Sequence, residues 1–110
     1  MTAAGALRSK DILAPVVYAV ASTGRRGSKV TLRFQLVDDS GKSRATVRIL
    51  AGTRQVALLG TRLRPTDAFK LASLTWQAPK TSARKLRFCA VGSDPSGNKS
   101  PQSCAPLTLH

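Results

Sequence analysis

The 110-residue chain contains no glutamate, and its single histidine, His110, is the final residue. All five acids are aspartates: Asp11, Asp38, Asp39, Asp67 and Asp94. These shortages remove most catalytic chemistry. A Ser-His-Asp or Cys-His arrangement needs an internal histidine to move the proton. A glycosidase needs two positioned carboxylates with tuned pKa values, and five aspartates placed mostly in turns are a thin stock. A zinc centre needs clustered cysteine and histidine, against two cysteines and one terminal histidine here. No enzyme is expected, and no cofactor. Aromatic residues are 5% of the chain, and Phe34, Phe69, Phe88 and Trp76 fall at core positions, leaving only Tyr18 for exposure. A stacking platform for single-stranded nucleic acid is therefore missing, as is a recognition helix. No apolar run approaches the ~20 residues of a membrane helix. The longest, residues 12–21, is broken by Pro15 and Tyr18, so no membrane span is expected.

What the chain has in excess is positive charge. Lysine and arginine number 18, for a net charge of +13. Hydrophobic residues make up 42%, enough for a core, and the length fits one domain. Residues 1–10 are small and polar, without the apolar stretch of an intact signal peptide. They read as a disordered lead, and residues 11–110 as the folded unit, a domain taken from a longer protein.

The rest alternates. In Lys29–Leu36, Val30, Leu32, Phe34 and Leu36 share one face while Lys29, Thr31, Arg33 and Gln35 share the other. That period of two marks a half-buried strand. After the turn cluster at residues 38–42, Arg44–Ile49 alternates again, so the pair predicts a β-hairpin. Further strands are predicted over 55–59, 69–76, 84–91 and 102–109, with turn residues between them. Residues 12–20 make a first strand. Pro15 and Pro106 suggest that the first and last strands lie at edges. Seven short strands without a helical period predict an all-β, seven-stranded antiparallel sandwich of two sheets, with a small barrel as the other solution.

Cys89 and Cys104 fall on outward faces of the last two strands, which read as a hairpin around the 94–98 turn. Neighbouring strands bring such side chains within reach of a disulfide, and a Cys89–Cys104 bridge is expected. It implies an oxidising compartment.

Several segments together resemble a known family. They are Asp11-Ile12-Leu13-Ala14-Pro15 leading into a Ser22-Thr23-Gly24-Arg25-Arg26-Gly27 turn, Val37-Asp38-Asp39-Ser40-Gly41, Trp76-Gln77-Ala78-Pro79, Arg87-Phe88-Cys89-Ala90-Val91 and Asp94-Pro95-Ser96-Gly97-Asn98-Lys99-Ser100. Over residues 11–109 the chain resembles bacterial extracellular immunoglobulin-like domains of the fibronectin III-like and cadherin-like kind. The resemblance implies an immunoglobulin-like sandwich in a secreted or cell-surface protein, acting as a spacer, stalk or accessory binding module beside neighbouring domains. Antibody-type domains differ: they bridge their two sheets and carry their tryptophan on the third strand.

The outward positions Lys29, Arg33, Arg44, Arg48, Lys85 and Arg87 are expected on one sheet, as a single positive face that Arg54, Arg62, Arg64 and Arg84 extend. Such a face suits a polyanion, and guanidinium groups suit phosphate and carboxylate. The partner this face would take is an anionic cell-wall polymer or polysaccharide; the other reading is a generic solvated charge surface that confers solubility. The alternative is a small basic nucleic-acid-binding protein, which would hold a backbone without reading bases. Asp38, Asp39, Asp94 and Asn98 are the oxygen donors that two turns would offer to calcium. Ordinary turn bonding explains them better, and no metal is expected in a field of this sign.

Overall fold

In the computed structural model the described residues are 15–37, 42–60, 64–65 and 72–110, with residues 42, 64 and 65 described by backbone alone. The expected lead at 1–10 and the residues Asp38, Asp39, Arg62 and Phe69 lie outside them. Nine strand segments form among the described residues: β1 (Val16–Val20), β2 (Ser22–Gly24), β3 (Lys29–Val37), β4 (Lys42–Ala51), β5 (Arg54–Gly60), β6 (Arg64–Pro65), β7 (Ala72–Gln77), β8 (Lys85–Ser93) and β9 (Ser103–Leu109). Seven of them have five residues or more, as the alternation predicts.

They make two sheets. The smaller has the order β1-β3-β7, and the larger β2-β9-β8-β4-β5, with β6 beside β4. All the pairings are antiparallel except β2 with β9, which is parallel. The inward residues of the alternating runs meet between the sheets. Leu32, Phe34, Val47, Ile49, Phe88 and Leu107 are fully buried there. Trp76 closes the layer near one end, while Tyr18 remains exposed.

Three expectations need correction. First, β3 and β4 do not form a hairpin. Both neighbours of β3 are in the small sheet and those of β4 in the large one, so the chain crosses between layers after Val37. Alternation shows which face of a strand is buried but is silent on which strand lies beside it. Second, Ser22–Gly24 is a strand and not part of a turn. A Cβ on Gly24 would fall 2.7 Å from Val30 Cγ2, so only glycine allows this close approach of β2 to β3. The turn follows at Arg25–Ser28, where Ser28 N donates to Arg25 O at 3.2 Å and Gly27 has φ 79°. Third, Pro106 lies between two strands and not at an outer edge. Cys89 and Cys104 are 4.0 Å apart at Cα, the spacing of a pair that exchanges no backbone bonds. Arg87 and Pro106, two residues along, are such a pair too. The proline nitrogen therefore faces away from β8, just before β2 begins to pair at Leu107.

The β4–β5 connection is a tight turn with Gly52 at φ 64°, in the first central position that such hairpins reserve for glycine. A register shift between Ile49 and Leu50 lets both side chains be buried in succession.

The Cys89–Cys104 disulfide forms between β8 and β9 as expected. Cys104 is exposed, but Cys89 is 1% exposed despite its outward position. Arg48 stands beside Cys89 in the register, and its Nη2 donates to Gln102 Oε1 at 2.8 Å, so this bond spans β8 on the outer face.

Replacing both cysteines by alanine should lower stability by ~3 kcal/mol, the chain-entropy value for a loop of about 15 residues; chemical denaturation checks it. Ser43 is 1% exposed, and its hydroxyl has no hydrogen-bond partner among the described residues. A buried, unsatisfied hydroxyl destabilises by about 1–3 kcal/mol. Ser43→Ala should therefore match or exceed the parent in thermal midpoint, whereas Phe88→Ala should lose about 3–5 kcal/mol.

Candidate anion-binding surface

The six predicted basic residues divide between two faces. Arg44 and Arg48 on β4, with Lys85 and Arg87 on β8, are exposed on the outer face of the large sheet. Lys29 and Arg33 lie on β3, and hence on the outer face of the small sheet. The single positive face is corrected on that point, for the same reason that the hairpin is: β3 is bonded to β1 and β7 and never joins β4. On the large sheet, Arg48 pairs with Cys89, and Arg87 is two residues along β8. These two guanidinium-bearing positions are thus diagonal neighbours, ~7–8 Å apart.

The division brings charge together elsewhere. β3, β8 and the β4–β5 turn begin at one end of the sandwich, where β2, β7 and β9 finish. Backbone bonds lock this end. Arg26 N donates to His110 O at 3.1 Å, and His110 N to Gly24 O at 2.9 Å. Gly27 N donates to Ala78 O, and Ala78 N to Ser28 O, both at 3.0 Å. Leu109 N donates to Arg84 O at 2.7 Å. The result gathers Arg25 and Arg26 from the turn with Lys29 at the start of β3, Lys80 and Arg84 from the connection between β7 and β8 with Lys85 at the start of β8, and Arg54 at the start of β5. All are exposed except Arg26, which is half-buried.

Lys29, Lys85, Arg54 and Arg84 were legible as candidates in the sequence. Arg25, Arg26 and Lys80 were not, because they sit in turns rather than on alternating strands. The signal that would have found them is connectivity: successive connections of an antiparallel sandwich alternate between its ends. Arg64 belongs to β6, described by its backbone alone.

The opposite end carries the sole acid among the described residues, Asp94. Its side chain closes the β8–β9 turn. Oδ1 accepts from Asn98 N at 2.9 Å and Oδ2 from Asn98 Nδ2 at 3.0 Å. Gly97 N donates to Asp94 O at 3.0 Å, with Gly97 at φ 92°. Burial opposes ionisation of Asp94, but the bonds from the Asn98 side chain and from the backbones of Asn98, Ser96 and Gly97 outweigh it. They hold the carboxyl below its usual range. Both oxygens that calcium would need here are engaged by Asn98. Among the described residues, no group of three or more histidine, cysteine or acidic side chains forms.

No protein-family model matches the chain, and no curated protein matches it. Solved structures do. A crystal structure of an engineered protein superposes with a TM-score of 0.59 at 17% identity, over 87% of this chain and 20% of that one. The chain thus spans about a fifth of that structure. The PKD domain of an M14-like peptidase from Thermoplasmatales archaeon SCGC AB-540-F20 superposes with a TM-score of 0.50 at 17% identity, over 86% of this chain and 91% of that domain. At such identities the likeness concerns the fold: this chain is an immunoglobulin-like β-sandwich.

A carboxyl with a depressed folded-state pKa stabilises the fold above its unfolded pKa, and that contribution disappears as pH falls through the folded value. Asp94→Asn should therefore be less stable than the parent at pH 7. The difference should shrink once the pH falls below about 4, as followed by denaturation midpoints across a pH series.

Proposed function

We propose that the chain is a non-catalytic accessory or spacer module of an exported bacterial protein, and that its basic end holds it to an anionic cell-surface polymer. The observation carrying this reading is the separation of charge. Arg25, Arg26, Lys29, Arg54, Lys80, Arg84 and Lys85 collect at one end, and no described acid is near them. Like charges collected at one end repel one another, and an anionic partner relieves the repulsion. Arg44, Arg48 and Arg87 extend the charge along the large sheet.

The disulfide supports an extracellular or cell-surface setting, since such bonds persist in oxidising compartments. It counts against the alternative, a small basic nucleic-acid-binding protein. The superposed PKD domain belongs to a peptidase, which supports a place beside another domain.

The test is binding to wall teichoic acid, an acidic polysaccharide and duplex DNA across a salt series. One variant carries Arg26→Glu, Lys80→Glu and Arg84→Glu; a second carries Arg48→Glu and Arg87→Glu. Binding to a cell-surface polymer should survive physiological salt, fall at least tenfold in the first variant and fall less in the second. Equal, weak binding to all three polymers that vanishes by physiological salt would mean generic surface charge. Preference for duplex DNA would transfer the reading to the nucleic-acid alternative.

A further inference from the structure

The basic end contains a notch whose walls differ in character from the charges around it. It opens between the β4–β5 turn and the 79–83 loop, with a volume of about 160 Å³. Its lining includes the buried Trp76 and Leu86, the exposed Val56, Pro79 and Arg54, and the half-buried Ser82. Pockets for drug-sized ligands start near 300 Å³, so this one has room for a single small ring.

Two features bear on what would enter it. The walls are apolar and open to water, with Val56 40% exposed. A bare phosphate polymer would gain nothing from them, whereas the C–H face of a sugar ring would. The rim then offers polar groups of two kinds. The guanidinium of Arg54 has no acid partner among the described residues, and its planar fork matches a carboxylate. Ser82 Oγ donates to Ala83 O at 3.0 Å, so towards a ligand it presents lone pairs that accept from a ring hydroxyl. Thr81, exposed beside it, can donate or accept.

We propose that this notch is a subsite for one carboxylated sugar ring, so that the polyanion recognised at the basic end is a uronate-type acidic polysaccharide. The proposal rests on the reading of that end as a polyanion site. The ring lies across Val56 and Pro79 above Trp76, its carboxylate meets Arg54, and its hydroxyls meet Thr81 and Ser82. The flanking Lys80 and Arg84 then serve the neighbouring carboxylates of the same polymer.

The probes are oligogalacturonate and polyphosphate of matched charge, titrated at physiological salt by calorimetry and by the fluorescence of Trp76, the only tryptophan in the chain. Oligogalacturonate should bind about tenfold tighter than polyphosphate and shift the Trp76 emission, which polyphosphate should leave in place. Arg54→Lys keeps the charge but not the fork. It should weaken oligogalacturonate about tenfold and leave polyphosphate within twofold. If the two polymers bind alike, if Trp76 does not respond, or if Arg54→Lys is silent, the notch is not a sugar subsite, although the basic end still binds polyanions. If neither polymer binds at physiological salt, both readings fall.

Discussion

The crossing of the chain from one sheet to the other at Ala21–Ser22 is the constraint on which the rest depends. β1 pairs with β3 as far as Val20 and Arg33. There the Ser22 hydroxyl intervenes, donating to Val20 O at 2.9 Å and accepting from Arg33 N at 3.2 Å. It takes the backbone donor that β3 presents, and the chain is free to leave. The next three residues run parallel to β9. That move covers the outer edge of β9, which would otherwise be open to pairing with other chains. It also sets Gly24 and Arg26 against His110. A single hydroxyl bond contributes only about 1 kcal/mol. Its importance is directional, because it decides in which layer the chain continues.

Backbone bonds close both ends of the sandwich, and side chains add to them at one. At the end that carries Asp94, the backbone bonds from Asp94 N to Asn98 O, Gly97 N to Asp94 O and Ser100 N to Gly92 O are joined by the Asp94 carboxylate on Asn98 and by Ser100 Oγ, which accepts from Gly92 N at 2.8 Å. At the basic end, backbone groups close the structure, from Arg26, Gly27, Ala78, Leu109 and His110. The guanidinium and ammonium groups there are left over from the folding problem. Their mutual repulsion is bearable. Two like charges about 7 Å apart in bulk water repel by about 0.6 kcal/mol, less once salt with a screening length of ~8 Å is present. The fully buried core between the sheets is large enough to tolerate that.

Much of this fold could be read from the sequence. Most of the seven longer strands announce themselves as alternating runs, because a sheet with one wet face forces polar and apolar residues into register with its pleat; β1 and β5 alternate more weakly. The disulfide was legible for a related reason: Cys89 and Cys104 fall on matching faces of two strands joined by a recognisable turn. Sheet membership was not legible. Val30, Leu32 and Phe34 would alternate identically beside β4 or beside β7, since burial tells a residue only that it faces the other layer. β2 was hidden for a different reason. Ser22-Thr23-Gly24 is too short to display a period, and its pairing is with residues more than eighty positions away. The basic residues inherited both difficulties. Those on strands were legible one by one as outward positions but were assigned to a common face, and those in turns carried no periodic signal.

That error relocates the charge without dispersing it. Sheets packed face to face lie ~10 Å apart, and Lys29 and Lys85 stand on the two outer faces at the same end of the molecule. The turn carrying Arg25 and Arg26 and the loop carrying Lys80 and Arg84 bridge the gap between them. A flat basic sheet face would present its cations in strand rows to a polymer lying along the sheet. A basic end presents them around a ridge that runs from one sheet to the other. In the second arrangement the turns of the two sheets carry the densest charge, while Arg33, Arg44, Arg48 and Arg87 remain on the outer faces.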